Sequence, residues 1–572
     1  MLKGIGASPG IVIGRAFLLE EEKFYISKRT IDSTEIKQEI IRFRKALAET
    51  REEMGGIRQK VLKQLGKRHV RLFDAYLLIL EDPILRNDVI KMVTEERVNA
   101  EYALQMVIDK ITKTFAMIDD GYLRDRSLDI LDVGKRVLKR LLGREREELA
   151  TLPSPVIVIA HNLSPADTIA MRKENVIGFA TDIGGRTSHT AIMAQSLEIP
   201  AVVGLKNVTK KVKLGDTIIV DGIEGIVITN PDSLTVENYE RQKIKYSNAQ
   251  KALKKLTDLP AVTADEYNVE LHANIEVPEE IPSVHAHGAT GIGLFRTEYI
   301  YLNRVDLPSE EEQYQQYTSV AWKMMPYPVI IRTMDLGADR FVGEFGISPE
   351  RNPFMGLRAI RLCFRYPHVF KTQLRAILRA SVEGNLKIMY PMICCVEELR
   401  HANELLEEVK NELGKEKIPF NENMEVGVMI ETPSSALIAD ILAREADFLS
   451  IGTNDLIQYT LAVDRVNENV THLYRPLHLS ILRLLKGIID AGHQAGNRVG
   501  MCGEMAADSS LTKILLGMGL DEFSMSPLSI PKIKKIIRST SLTKAQELAN
   551  QVLATTKQEE VNKIIERFEA LP

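Results

Sequence analysis

The sequence predicts a multidomain α/β protein whose C-terminal half is a TIM (β/α)8 barrel. Three observations predict it. First, a chain of 572 residues exceeds what one hydrophobic core serves, so two to four domains are expected. Second, from about Glu266 short β-like runs alternate with helix-length segments. The runs are "VELHANI", "GIGLFRTE", "PVIIRTMD", "LKIMYPMI", "EVGVMIET", "DFLSIGTND", "RVGMCGE" and "DEFSMS". Eight such units, each followed by a helix except perhaps the last, fit a closed parallel barrel. Third, reactive side chains gather at the C-terminal ends of these runs. Arg296 and Glu298 end the second, Arg332 the third and Glu431 the fifth. Asn454 and Asp455 end the sixth, Cys502 and Glu504 the seventh. In this fold that rim carries the chemistry.

The N-terminal half reads differently. "GIVIGRAFLL" is β-like and follows the turn signal "ASPG". From about Asp32 to Arg144 the apolar residues recur at helical spacing. Ile36, Ile40, Phe43 and Leu47 form one stripe, and Ile130, Val133, Val137 and Leu141 another. Three or four packed helices are expected. Asp32 and Glu35 resemble a capping box, and Gly55-Gly56 should break or kink the first helix. After Pro153, β runs return: "PVIVIA", "VIGFAT", "PAVVG", "TIIVDG" and "IVIT". The expected organisation is an α/β domain of residues 1–20 plus 148–230, interrupted by an all-α insert at 21–147. A solvated connecting helix at 231–256 and a barrel at 257–572 complete it.

Composition excludes several classes. The net charge is −4, and no segment is densely basic, so nucleic acid and anionic membranes are not expected partners. No signal pattern or bilayer-length apolar run is present. Four cysteines, none in a CxxC pair, are too few for a disulfide scaffold. A cytoplasmic protein is expected.

Arg296, Arg332 and Arg358 fall on the rim or in its loops, and Arg465 follows the sixth strand. Guanidinium groups bind carboxylate and phosphate oxygens in pairs, so this cluster suits a small, multiply anionic substrate. Glu431 and Asp455 could be neutralised by those arginines, or could hold Mg²⁺ together with substrate phosphate. Cys502 could fill the core, or could stand exposed and reactive at its strand end.

A further signal is "GGRTSHTAIMAQSLEIPAVVG", from Gly184 to Gly204. Thr187 and Ser188 are N-cap types, so a helix beginning there would set its unpaired N–H groups and positive dipole end near His189. Such a place keeps an imidazole neutral and nucleophilic, and favours an anion such as a phosphoryl group attached to it.

Together with "GIGLFRTEYIY", "IRTMD", "NPFMGLRAIR", "VGVMIETP", "FLSIGTNDLIQYTLAVDR" and "GMCGEMA", that segment resembles the Enzyme I family of the bacterial phosphoenolpyruvate:sugar phosphotransferase system over essentially the whole chain. The resemblance implies a phosphoenolpyruvate-protein phosphotransferase. His189 would carry the phosphoryl group on Nε2, with Thr168 orienting it. Arg296, Arg332 and Arg465 would hold phosphoenolpyruvate, with Asn454 and Asp455 at its phosphate. Glu431 and Asp455 would bind Mg²⁺, and Cys502 would protonate the enolpyruvate carbon. The helical insert would dock the histidine-containing phosphocarrier protein, and the barrel would form a homodimer. One departure is visible: the family commonly has "GGDK" where this chain reads "LGADR", with Ala338 and Arg340. A dikinase-like phosphotransferase and a non-catalytic phosphoenolpyruvate sensor are the rival readings.

Overall fold

The computed structural model describes the chain apart from residues 20–25, 66, 117–120, 144–154, 165–166, 169–170, 172–174, 186–188, 198, 302–305, 338–349, 466, 468 and 570–572. It divides into two compact units, Met1–Ala249 and Gln250–Pro572.

The first unit contains an eight-stranded mixed sheet. Its strands are β1 (Leu2–Lys3), β2 (Ile5–Ser8), β3 (Ile11–Leu19), β4 (Val156–Ala160), β5 (Val176–Thr181), β6 (Ala201–Val203), β7 (Thr217–Asp221) and β8 (Ile226–Thr229). Their order is β1-β8-β7-β3-β4-β5-β6-β2. The parallel run β3-β4-β5-β6 forms its centre. β4 is buried at every residue, which is why it reads as a continuous Val/Ile run rather than an alternating one.

Between β3 and β4 the chain builds helices. Five lie among the described residues: Ile36–Leu65, Lys67–Glu81, Pro83–Glu95, Ala100–Ala116 and Gly121–Leu141. That exceeds the three or four expected. The excess arises because short connections such as Asp82 divide what the periodicity joins: Asp82 caps its helix by accepting from Ile84 N–H, and Pro83 follows. The two glycines do not break the first helix, which runs through Gly55 and Gly56 with open space beside both. Neither meets a neighbour that could wedge the turn apart, so the cost there is only the propensity of glycine. The predicted cap is half formed, with the Glu35 carboxylate accepting from Asp32 N–H at 2.9 Å. Both predicted stripes face one core, around Phe43, Met54, Phe73 and Tyr76. Met193, from the helix that begins at His189, joins that core.

The helix Ser233–Lys254 buries none of its residues. Its even charge distribution matches a solvated element.

The second unit is a closed parallel barrel of β9 (Glu270–Ile275), β10 (Ile292–Phe295), β11 (Val329–Arg332), β12 (Leu386–Tyr390), β13 (Val426–Ile430), β14 (Phe448–Ile451), β15 (Arg498–Met501) and β16 (Glu522–Met525). All eight predicted runs contain one of these strands. Period-2 alternation sorts their side chains. Phe295 packs outward with the helices, while its neighbour Leu294 packs inward with Ile330, Met389, Met429 and Phe448. Gly427 stands opposite Phe448 in the ladder, and a Cβ there would lie 2.3 Å from the Phe448 ring. The last strand is followed by three helices, Ile530–Arg538, Leu542–Ala554 and Gln558–Glu569, where the sequence left the eighth helix open.

Candidate active site

The C-terminal ends of the barrel strands enclose a cavity of about 330 Å³. Arg296, Arg332, Arg358, Asn454, Asp455 and Arg465 all line it, and so do Glu431 and Cys502. Apart from Glu504, the rim residues singled out from sequence therefore open onto one space. Glu276, Glu298 and Asp335 also line it.

The guanidiniums are held by these carboxylates. Arg332 donates to Glu298 at 2.9 Å and pairs with Asp335 at 2.9 Å. Arg358 donates to Asp335 at 2.8 Å, to Asp455 at 3.4 Å and to the Tyr459 hydroxyl at 3.3 Å. Arg296 donates to Glu276 at 3.1 Å. Arg465 stands 3.8 Å from Glu504, an exposed and looser pairing. Arg332 Nε is buried and makes no hydrogen bond, so the cavity keeps a cationic donor for something else. A buried donor without a partner is costly, and an anionic ligand relieves it.

Asp335 is the residue that the motif reading left without a role. Burial pushes its carboxyl up, but Arg332 and Arg358 outweigh that and leave it below the ordinary carboxylate range. Its one legible signal is position, three residues past Arg332 at the end of β11.

Glu431 is nearly fully buried and accepts from Met392 N–H at 2.7 Å. Burial, and then the charges of Asp335 and Asp455, push its carboxyl up to about 8. Five carboxylates and four guanidiniums line the cavity. The Glu431 and Asp455 oxygens thus suit a hard divalent cation, which would displace the Glu431 proton and stabilise its buried carboxylate.

Asn454 and Asp455 belong to the helix Thr453–Leu461, whose N-cap Gly452 provides no side-chain bond. Gly452 lines the cavity as well. The unpaired N–H groups of that turn are suited to phosphate oxygens. Asn454 is fixed by Glu504, whose N–H it accepts at 3.0 Å.

Cys502 is 4% exposed, which corrects the exposed reading of that position. Flanking glycines shorten its neighbours, but the barrel interior closes over it. Burial pushes the thiol up to about 11, against the opposing pull of the Ser450 hydroxyl, which donates to Sγ at 3.5 Å, and of Arg332. The thiol is therefore protonated at neutral pH and available as an acid. Ser450 and Asn274 were not singled out from sequence, because short polar residues inside a strand carry no motif.

In the first unit, His189 is the first residue of the helix His189–Ser196. Its backbone alone is described, and the expected caps Thr187 and Ser188 lie outside the described residues, as do Ala338 and Arg340. Gly184 precedes it at φ 123°, a left-handed backbone that glycine permits. Thr168 is fully buried, and its hydroxyl donates to the Ser164 carbonyl at 3.0 Å. Thr190, next to His189, donates to the Leu163 carbonyl at 2.7 Å. The adjacent carbonyls of Leu163 and Ser164 thus anchor both threonines.

Among the described residues, no helix is long and apolar enough to cross a membrane. Three family profiles match the chain: the N-terminal domain of PEP-utilising enzymes over residues 3–126, their mobile domain over 152–225, and their PEP-binding domain over 250–542. Curated relatives match nearly end to end. The phosphoenolpyruvate-protein phosphotransferase of Priestia megaterium is 47% identical across 98% of this chain and 97% of its own. That of Staphylococcus carnosus is 45% identical across 99% of both, and that of Bacillus subtilis 46% across 98% of both. The solution structure of an Enzyme I protein (nEIt) is 51% identical over 43% of this chain and 100% of its own, with a TM-score of 0.38. With curated relatives matching nearly end to end, the chain belongs to the phosphoenolpyruvate-protein phosphotransferase family.

Proposed function

We propose that the chain takes the phosphoryl group of phosphoenolpyruvate onto His189 and passes it to the histidine of a small phosphocarrier protein. The observation that carries this reading is the convergence of Arg296, Arg332, Arg358, Asn454 and Arg465 on the cavity that also holds Glu431, Asp455 and Cys502. A substrate with one carboxylate and one phosphate matches a site with four guanidiniums and a helix N-terminus. End-to-end similarity to phosphotransferases supports it over a dikinase-like transferase or a non-catalytic sensor.

The arginines hold and orient the substrate, with the phosphate toward Asn454 and the turn at Gly452. His189 Nε2 attacks phosphorus in line. The bond from phosphorus to the enol oxygen breaks, and its electron pair leaves with the enolate. Cys502 Sγ–H gives its proton to the methylene carbon, completing pyruvate. Glu431 and Asp455 would hold Mg²⁺, which when bound neutralises charge on the phosphoryl and enolate oxygens. Thr168 is anchored on the carbonyl next to the one that anchors Thr190, where it would orient the imidazole.

The domain roles follow from this reading. Residues 1–20 plus 148–230 form the phosphohistidine domain. Residues 21–147 dock the carrier, 231–256 link the two units, and the barrel of 257–572 binds substrate and pairs two chains. Relay between donor and carrier requires the histidine domain to move, as hinged transfer domains do. The setting is cytoplasmic, where phosphoenolpyruvate is available. The test is incubation with labelled phosphoenolpyruvate and Mg²⁺ followed by peptide mass spectrometry. One acid-labile phosphoryl group on His189 is expected, and label on any other residue refutes the assignment.

A further inference from the structure

The N-terminal face of the barrel carries a second cluster that this chemistry does not use. There β16 closes the barrel against β9, with Glu522 opposite Glu270 and Ser524 opposite His272. Glu270 and Glu522 are the first residues of their strands, at the end away from Arg296 and Cys502. Glu270, His272 and Glu522 each offer one ligand atom, and these atoms all lie within 4.8 Å of one another.

His272 is 2% exposed. Its Nδ1 lies 3.1 Å from Glu522 Oε1, and its Nε2 lies 3.5 Å from Glu270 Oε2. Nevertheless Nδ1 makes no hydrogen bond. An imidazolium held between two carboxylates would satisfy that buried nitrogen with an aligned donor bond, and here the alignment is missing. A buried nitrogen whose close carboxylate contact forms no aligned hydrogen bond is suited to a metal ion.

We propose that Glu270, His272 and Glu522 bind a divalent transition-metal ion of the zinc class, which clasps the last barrel strand to the first. One imidazole and two carboxylates are a common donor set for such ions. Ligand atoms about 2.1 Å from a tetrahedral ion stand roughly 3.4 Å apart. The 3.1 Å between Nδ1 and Glu522 Oε1 is near that spacing. The ion takes the unbonded Nδ1 and Glu522, a Glu270 carboxylate oxygen is the third donor, and water completes the shell.

The charge balance agrees. Glu270 is paired with Arg498 at 2.5 Å, while Lys387 is committed to Glu425 at 2.6 Å. With a neutral imidazole, two carboxylates against one guanidinium leave a single negative charge for a cation. Glycine keeps the space clear. A Cβ at Gly293 would lie 2.3 Å from Glu522 Oε1, and one at Gly291 would lie 2.7 Å from His272 Nε2. An ion on this face acts on barrel closure, because in this fold the N-terminal face serves stability.

The test uses the full-length chain carrying Glu431→Gln and Asp455→Asn, which remove the oxygen site at the other face. The protein is stripped with chelator and titrated with Zn²⁺ and Co²⁺. One ion per chain is expected by elemental analysis, with cobalt d–d bands and no thiolate charge-transfer band, and with a melting temperature that rises with zinc. Adding His272→Ala or Glu522→Gln should weaken binding by at least ~10–100-fold and remove the zinc-dependent rise. Should His272→Ala fail to fold, Glu522→Gln carries the same comparison. Absence of a stoichiometric ion overturns the proposal. So does a thiolate band that places the ion on cysteine, or undiminished binding in Glu522→Gln.

Discussion

Asn274 Nδ2 donates to the carbonyl oxygen of Cys502 at 2.8 Å, tying the first barrel strand to the residue after the seventh. Asn274 Oδ1 in turn accepts from the Ser524 hydroxyl at 2.6 Å. The thiol therefore sits on a backbone fixed from two neighbouring strands. This rigidity suits an acid that must meet one carbon of a small substrate.

Cys502→Ala should fold and bind phosphoenolpyruvate, yet release pyruvate ~10²–10⁴-fold more slowly, the usual contribution of a positioned acid. Because burial holds the thiol near 11, its ionisation should cost no activity at neutral pH, and a decline from that cause begins only as pH approaches this value. Pyruvate release by the alanine variant within a few-fold of the parent would assign the proton to water.

His189→Ala should abolish incorporation of label from phosphoenolpyruvate and leave substrate binding at the barrel intact. His189 and the rim cavity lie in different units of the chain. Binding by calorimetry together with label counting separates them, and a variant still labelled would place the acceptor elsewhere.

Glu431→Gln and Asp455→Asn should each raise the Mg²⁺ concentration needed for half-maximal phosphorylation, since a site built on few oxygen ligands loses affinity with each carboxylate removed. Removing Glu431 should leave the melting temperature level or higher, because its carboxyl is buried beside two like charges. An unchanged Mg²⁺ titration in both variants would reduce these residues to partners of the arginines.

Asp265 offers a test of pH dependence far from the chemistry. Its carboxylate accepts from Thr263 Oγ1 at 2.6 Å, from Leu542 N–H at 2.8 Å, from Thr543 N–H at 3.2 Å and from Ser541 Oγ at 2.9 Å. It thus caps the helix Leu542–Ala554. The Thr263 hydroxyl first, and then the Leu542 N–H, hold the carboxyl well below the usual range. A carboxyl lowered in the folded state contributes stability above its unfolded pKa of about 3.9, and that contribution is lost as pH falls through the folded value. Asp265→Ala should therefore melt lower than the parent at pH 7, and the difference should narrow in strong acid. A gap that stays constant from pH 7 to pH 2 would show that the cap acts without its charge.

The barrel was legible because each strand carries its own mark. Short apolar runs alternate with helix-length segments, several of them end in charged or reactive residues, and the fold brings those ends to one rim. Arg296, Arg332, Glu431, Asp455 and Cys502 could be found that way. Asp335 also ends its run, but its role was hidden, because it comes from standing between Arg332 and Arg358, which are 26 residues apart in sequence. Asn274, Ser450 and His272 were hidden for a related reason. They face the barrel interior, where a polar residue is understood only through its neighbours on other strands. The helix count failed where an Asp-Pro step divides one apolar stripe into two helices. The burial of Cys502 failed because glycines at a strand end leave open whether the space beside them is solvent or packed side chains.

The last prediction concerns the two units. A fragment of about residues 1–240 keeps the mixed sheet, the helical insert and the residues that pack their cores. It should fold alone, since each strand of that sheet finds its partners within the fragment. It should accept phosphate from the phosphorylated carrier, a step that needs only His189 and the docking helices. It should remain unlabelled by phosphoenolpyruvate, because Arg296, Arg332, Asn454 and Arg465 are all missing. The complementary fragment of about residues 256–572 keeps the closed barrel and should bind phosphoenolpyruvate without transferring it. Mixing the fragments should restore little. The helix Ser233–Lys254 joins the two units in the intact chain, and a short tether supplies an effective concentration typically in the millimolar range. At micromolar fragments that advantage is gone, and the transfer rate should fall by roughly a thousandfold. The measurement is transfer of labelled phosphate in each direction, for each fragment alone and for the mixture. Labelling of the N-terminal fragment by phosphoenolpyruvate with no barrel present would refute a relay divided between the two units.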